Sequence, residues 1–315
     1  MIEHLTPAAW TNHLVTVEGL PKLLQDGSSM LRVAVTRDRS VSNSLRSELD
    51  AFAASHGLEI ARADRSTCER LQEPNRMVAS IAQRTDLRET LRCCARRIWS
   101  DMGYLVESAE IRDVAERHNL SMVNLRQDFR AELNRLPHKD VRLGRDFLSA
   151  LRLVLPGVIE GGVTEHNEVG RLTSYLSGTL SMSDAFQLGM QRKLDRQTAL
   201  PILRNFLALN RLAGRSGTLL HIDLTWATDH EALGVNGLTR QSRIWTYQWL
   251  RELIDSHHLF DSVFLCIEVG PGFPNPNALG RGWGLYDAVR LRLEDGVHPS
   301  DGQNLSAPIV TLEAR

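Results

Sequence analysis

Residues 30–63, MLRVAVTRDRSVSNSLRSELDAFAASHGLEIARA, constrain the fold of this chain more than any other stretch. Met30 to Val35 is an apolar run of strand length. Leu45, Leu49 and Phe52 recur at helical spacing, Gly57 stands where a helix would end, and Leu58 opens a second short strand. Strand, helix and strand in that order make a unit with parallel strands and a right-handed crossover. Between the first strand and the helix lies TRDRSVSNS, residues 36–44, a polar turn in the position where nucleotide-binding chains grip phosphate.

After residue 74 the pattern becomes helical and stays so to about residue 213. Met77, Ile81 and Ala82 share one face, as do Ile111, Val114 and Ala115, then Leu125, Phe129, Leu133 and Leu136, and Phe147, Leu148 and Leu151. Pro137, Pro156 and the GVIEGGV segment are expected to break this run into short helices. A helix starting near Asp195 carries Leu203, Phe206, Leu207 and Leu212, with Pro201 predicting a kink or a later start. Strands return at GTLLHID (217–223) and DSVFLCIEV (261–269), with a helix over about 240–257 between them. A last helix carries Tyr286, Val289 and Leu293, and APIVTL ends the apolar pattern. The reading is an α/β fold, a three-layer parallel sheet in two segments, 1–73 and 214–315, around an all-helical insert over 74–213.

With 42% hydrophobic and 24% charged residues, the 315-residue chain has the composition of an ordinary globular protein, and its net charge of −1 gives no overall pull toward nucleic acid. Arg92, Arg96 and Arg97 form a local basic group, read as a solvated helix face or as contacts for phosphate or carboxylate. The four cysteines, Cys68, Cys93, Cys94 and Cys266, include no C-x-x-C pair and suggest neither a zinc knuckle nor a disulfide framework. A reduced, cytoplasmic setting is the expectation. MIEHLTPAAW carries no basic segment followed by a long apolar run and is read as having no signal peptide. No run of about 18 apolar residues predicts a membrane span.

A phosphate loop needs consecutive backbone N–H groups aimed at one anion, glycines that allow close approach, a lysine for the outer phosphates and a hydroxyl for magnesium. TRDRSVSNS has no glycine and no lysine, and Asp38 would repel phosphate. A generic β–α turn is the plain reading of these residues. LLHIDLTWA (219–227) ends an apolar strand in Asp223, the placing of a magnesium-shell carboxylate, but the next residue is Leu224, where a hydrolase would put a second carboxylate to orient water. His221 and Asp223 fall on one strand face, with Asp229 and His230 beyond; no compact third ligand follows, and no metal site is assigned. His257 and His258 are expected to face the last carbonyls of a helix. GPGFPNPNALGRGWG (270–284) reads as a surface loop.

Taken together, these pieces resemble the P-loop ATPases of BREX-type bacteriophage-exclusion systems, from about Leu31 to Leu312. KLDRQTALPILRNFLALNRLAGRSGTLLHIDL (193–224) is similar to the family's helix and turn feeding its acidic strand. WGLYDAVRLRLEDGVHPSDGQNLSAPIVTL (283–312) is similar to its later segment, where Asn304, Ala307, Pro308, Val310 and Leu312 match an Asn-Pro-x-Ala-Pro-x-Val-x-Leu run. The family carries G-x-x-G-x-G-K-[ST] after the first strand. Laid on this chain, that motif puts Arg37 on the first glycine, Ser40 and Ser42 on later glycines, Asn43 on the lysine and Ser44 on the hydroxyl. The family's Asp-Glu becomes Asp223-Leu224.

The resemblance implies a P-loop NTPase-like fold of the AAA+ or STAND kind. Its departures imply a degenerate nucleotide site, Arg37, Ser40, Ser42, Asn43, Ser44 and Asp223, with no catalytic residue. The expectation is a pseudo-ATPase subunit that scaffolds or regulates an anti-phage defence complex, needing no cofactor. An active ATPase of the same family, a helicase or a nuclease would be its partner, with DNA reached through the complex. Arg281, Arg290 and Arg292 are candidates for arginines that act on a neighbouring subunit. Two alternatives remain open: a divergent switch that binds ATP and magnesium using Ser44, Asp223 and arginines from outside the loop, and a nucleic-acid-binding accessory protein.

Overall fold

A computed structural model of the chain describes residues 5–136, 143–228, 239–274, 287–294 and 305–314. The chain divides into two compact units, residues 1–77 with 216–315, and residues 78–215. In chain order the first unit opens with α1 (Pro7–Thr16), α2 (Leu20–Gln25), β1 (Met30–Thr36), α3 (Arg39–His56) and β2 (Leu58–Ala63). The division falls inside α4 (Pro74–Arg84). The second unit continues with α5 (Leu87–Asp101), α6 (Ile111–His118), α7 (Met122–Arg135), α8 (Arg145–Glu160), α9 (Gly162–Leu176), α10 (Met182–Gln187) and α11 (Ala199–Leu212). The first then resumes with β3 (Gly217–Asp223), α12 (Thr225–Thr228), α13 (Arg240–Ser256), β4 (Val263–Val269), α14 (Asp287–Glu294) and β5 (Ile309–Leu312).

The five strands form one all-parallel sheet in the order β2-β3-β4-β1-β5, an α/β architecture of P-loop NTPase-like kind. β1 and β2, consecutive in the chain, are separated by β3 and β4. One face of the sheet presents Ala34, Leu219, Phe264, Cys266, Val310 and Leu312 to α1, α2 and α3. Trp10 and Phe52 meet Phe264 there at ring-centroid distances of 6.4 and 6.1 Å. The alternate residues Val33, Val35, Leu220, Ile222, Leu265 and Ile267 are buried on the other face. Right-handed crossovers put α3 on the first side and α13 on the second. Burial on both faces explains why β3 and β4 read as nearly continuous apolar runs.

The chain leaves β1 toward β2 on one side and leaves β4 past β1 toward β5 on the other. Such a reversal opens a crevice at the carboxyl ends of the strands involved. Asp38, Asp64, Asp223 and Glu268 all lie at those ends.

In the helical unit, α5 buries Leu91, Cys94, Ala95, Ile98 and Trp99. Trp99 packs on Phe129 (4.6 Å between centroids) and donates its indole N–H to Ala109 O (3.1 Å). Glu165 has no exposed side-chain surface and is clamped by Arg88 Nη2 (2.5 Å) and Arg92 Nε (2.6 Å). Gly157 lets α8 meet α9, since a Cβ there would stand 2.8 Å from Glu168 Cγ.

Several boundaries differ from the sequence reading. Pro156 lies inside α8 rather than ending it; burying Leu151, Val154, Leu155, Val158 and Ile159 outweighs the roughly 3 kcal/mol that an interior proline costs. The break comes at Gly161 and Gly162, both at positive φ (70° and 58°). Asp195 does not start α11. Its Oδ1 accepts from the N–H groups of Gln197 and Thr198 in a turn, and the helix begins at Ala199, which leaves Pro201 in the first turn where no N–H is needed. The helices α1 and α2 were not anticipated. Pro137, Asp229, His230, Arg281, Tyr286 and Asn304 lie outside the described residues, as does most of 270–284.

The largest correction concerns residues 36–44. They are not a loop: α3 begins at Arg39, so the connection from β1 is the two residues Arg37 and Asp38. Asp38 is extended (φ −151°, ψ 173°) and caps the helix, with its Oδ1 accepting from Ser40 N (2.7 Å) and Val41 N (3.0 Å). Aspartate is among the strongest N-caps because it satisfies donors that the first turn otherwise leaves open.

Candidate functional site

At the carboxyl ends of β1, β2, β3 and β4 lies an open cleft of about 410 Å³. Its lining includes Arg37, Arg39, Arg46 and Arg65, and four carboxylates, Asp38, Asp64, Asp223 and Glu268. Four cations against four anions leave no formal charge, and no lysine is present.

The floor is built by alternation along the strands. His221 and Asp223 on β3 share a face, and Asp223 is the register partner of Glu268 on β4. Glu268 is 1% exposed. His221 Nε2 donates to its Oε2 (3.1 Å), Thr36 Oγ1 to its Oε1 (2.8 Å), and the Ser42 hydroxyl also hydrogen-bonds it. Burial works to raise the pKa of Glu268, but the hydrogen bond and charge of His221, with Ser42 and Thr36, outweigh it and hold the carboxyl below its ordinary value. Asp223 is the opposite case. Burial, then the nearby Glu268 carboxylate, push it above its ordinary value despite two hydrogen bonds to its Oδ1, from Thr225 N (2.9 Å) and Thr225 Oγ1 (2.7 Å).

One wall is Asp64, at the end of β2. Its oxygens accept from Arg46 Nη2 (2.5 Å), Ser66 Oγ (2.5 Å) and Thr67 N (2.9 Å). Burial would raise this carboxyl too, but Ser66 and Arg46 bring it below its ordinary value. The Arg65 guanidinium lies over the Trp226 ring at 5.5 Å from the centroid, a cation–π contact. At the mouth, Arg37 pairs with Glu313 beyond β5 (2.7 Å).

Of the residues laid on the phosphate-loop motif, Arg37, Ser42 and Asn43 line the cleft together with Asp223, while Ser40 and Ser44 do not. Ser44 is exposed on the second turn of α3, and the hydroxyl that reaches the floor is Ser42. Sequence reasoning missed Glu268, Asp64, Arg46 and Trp226. Glu268 carried a signal, since a lone carboxylate in a run otherwise apolar on both faces must find buried partners. His221 is engaged with Glu268, and among the described residues no group of three or more potential ligands could hold a metal ion.

Among the described residues, the basic residues named from the sequence are held within the chain. Arg92 pairs with Glu165, Arg96 with Glu89 (2.5 Å) and Arg97 with Asp101 (3.2 Å). Arg292 pairs with Asp255 and donates to Ala288 O, and Arg290 Nε stands 3.6 Å from Asp287 Oδ1. His257 Nδ1 lies 2.7 Å from Ile254 O at the end of α13. All four cysteines are free thiols. No helix among the described residues is long and apolar enough to cross a membrane.

No curated protein and no solved structure matches the chain. A sequence model of the family described as BREX system ATP-binding protein BrxC/D matches residues 46–314, a span that takes in β2 to β5 and begins after the β1–α3 turn. With most of its length so matched, this chain belongs to the BREX system ATP-binding protein family.

Proposed function

We propose that this protein is a non-hydrolysing member of its family that serves a phage-defence system as a protein-binding subunit. Family membership associates it with such a system and with partners in a multiprotein assembly. The observation that carries the rest is the Asp38 cap. The N–H groups at the start of α3 are those a nucleotide's phosphates would need, and the chain's own carboxylate takes those of Ser40 and Val41. A two-residue turn leaves no backbone to wrap a phosphate. The hydroxyls that could serve magnesium, Thr36 and Ser42, are spent on Glu268.

The residues present therefore do not fit a nucleoside triphosphate with magnesium, and no hydrolytic step is derived for them. The emptied site and its rim are a surface for a partner, with an active ATPase of the same family, a helicase or a nuclease as the candidates. Calorimetry with magnesium-ATP tests the first half, and the expected result is no binding tighter than about 1 mM. Micromolar binding that disappears in Asp223→Ala would overturn it. Co-purification with other proteins of the system tests the second half, and a partnerless monomer under co-expression would count against it.

A nucleotide-binding switch is the second reading. The cleft's position at the point where the sheet's connections reverse favours it, and the same calorimetry decides between the two.

A further inference from the structure

The cleft at the strand ends has hydrogen-bond polarity opposite to that of an anion site. Its backbone and hydroxyl donors named above are taken by its own carboxylates: Ser40 N and Val41 N by Asp38, Thr225 N and Oγ1 by Asp223, Thr36 and Ser42 by Glu268; the Trp226 indole N–H has no partner among the described residues. Three of its four arginines are also committed, to Glu313, Asp64 and the Trp226 ring, which leaves Arg39. Acceptors, in contrast, remain. The bonds to Asp38 and to Asp223 all fall on Oδ1, so Oδ2 of each accepts nothing among the described residues.

Two anionic oxygens from β3 and from the β1–α3 turn thus line one open cleft of about 410 Å³, where Arg39 and the ring-stacked Arg65 are the cations not paired with a carboxylate among the described residues. The cleft also has a flat apolar wall. The indole of Trp226 already carries the planar cation of Arg65 at 5.5 Å, which shows the wall to be suited to a guanidinium.

From this we infer that the cleft is a receptor for an arginine side chain of a partner protein, held by Asp223 and Asp38 against the Trp226 wall. Guanidinium suits the site better than ammonium because it is planar, weakly hydrated and offers several donors in a fork. Seated near Asp223, it would also relieve the repulsion between that carboxylate and Glu268. The inference rests on the proposed function, since it requires a cleft without nucleotide.

The test uses the full chain labelled with ¹⁵N, reading the Trp226 indole N–H, which the Trp226→Phe variant assigns. The probes are N-acetyl-arginine methylamide, its neutral isostere N-acetyl-citrulline methylamide, and magnesium-ATP. The arginine probe is expected to shift the resonance with millimolar affinity, and the citrulline probe to bind about tenfold more weakly, as loss of a charge-assisted contact implies. Asp223→Asn and Asp38→Asn, both isosteric, should each weaken the arginine probe about fivefold, and added salt should weaken it further. Equal response to both probes, no response to either, or full affinity in the double variant would overturn the receptor. If magnesium-ATP instead moves the resonance at micromolar concentration, it is the proposed function that fails. A null result with all three probes removes the receptor and leaves that function standing.

Discussion

Asp223 and Glu268 are register partners on adjacent parallel strands, and their carboxyls are driven in opposite directions. Glu268 has three donors and is held ionised; Asp223, beside it, has burial and a like charge against it. The pair is kept at the end of an otherwise apolar sheet at a cost in stability, which is the usual mark of a site retained for something other than folding.

Asp223→Asn is therefore expected to stabilise the protein. The amide keeps an Oδ1 acceptor for Thr225 and removes the like-charge pair, worth about 0.5–1 kcal/mol for charges directly opposite in a sheet. The sign with pH follows from the raised folded-state value. The contribution of Asp223 is fully present below its unfolded value, and is lost as pH rises through the folded one. The gain from the substitution should accordingly be larger at pH 8 than at pH 4, read from thermal melts of both proteins.

The Asp38 cap predicts a split between two substitutions. Asp38→Ala should cost about 1 kcal/mol in urea titration, while Asp38→Asn should cost little, because asparagine caps as well as aspartate. An alanine variant as stable as the wild type would mean that the cap bonds contribute nothing.

In the helical unit the Glu165 clamp sets an acid limit. Although burial acts to raise it, Arg88 and Arg92 hold this carboxyl below its ordinary value. Its stabilisation is thus present above the unfolded value, about 4.3 for glutamate, and is lost as pH falls through the folded one. Glu165→Gln should flatten the loss of melting temperature between about pH 5 and 3. Arg92→Ala should cost roughly 1–3 kcal/mol at pH 7, less than for a wholly buried pair because solvent reaches the arginine.

Gly217→Ala tests the start of β3. A Cβ there would lie 2.4 Å from Ser262 O, an oxygen that accepts from Thr218 N (2.8 Å) and so cannot retreat without loosening the β3–β4 pairing. A loss of about 1–3 kcal/mol is expected, visible as a lower urea midpoint with an unchanged slope.

The central strands β3 and β4 were legible because burial on both faces makes each a nearly continuous apolar run, and the strand-end carboxylate Asp223 was legible for the same reason. Strand order was not, since it depends on contacts such as Val33 with Ile309 and Met30 with Phe264, far apart in the chain. The start of α3 was misread because glycine and lysine were sought in TRDRSVSNS, whereas Asp38, noted only as repelling phosphate, was the stronger local signal. Arg46, Asp64 and Trp226 each look ordinary alone. They become a site only when the sheet brings the ends of β2 and β3 beside the first turns of α3.

The two-residue connection between Thr36 and Arg39 also bears on how the chain can change. A wrapping phosphate loop is longer than this turn, so exchanging Asn43 for lysine and the serines for glycine would place those residues on a formed helix rather than around an anion. On the proposed function, a nucleotide site here would take inserted residues and the loss of Asp38 together, which are two kinds of genetic event. Under that reading, point mutation alone would not turn this connection into a phosphate loop.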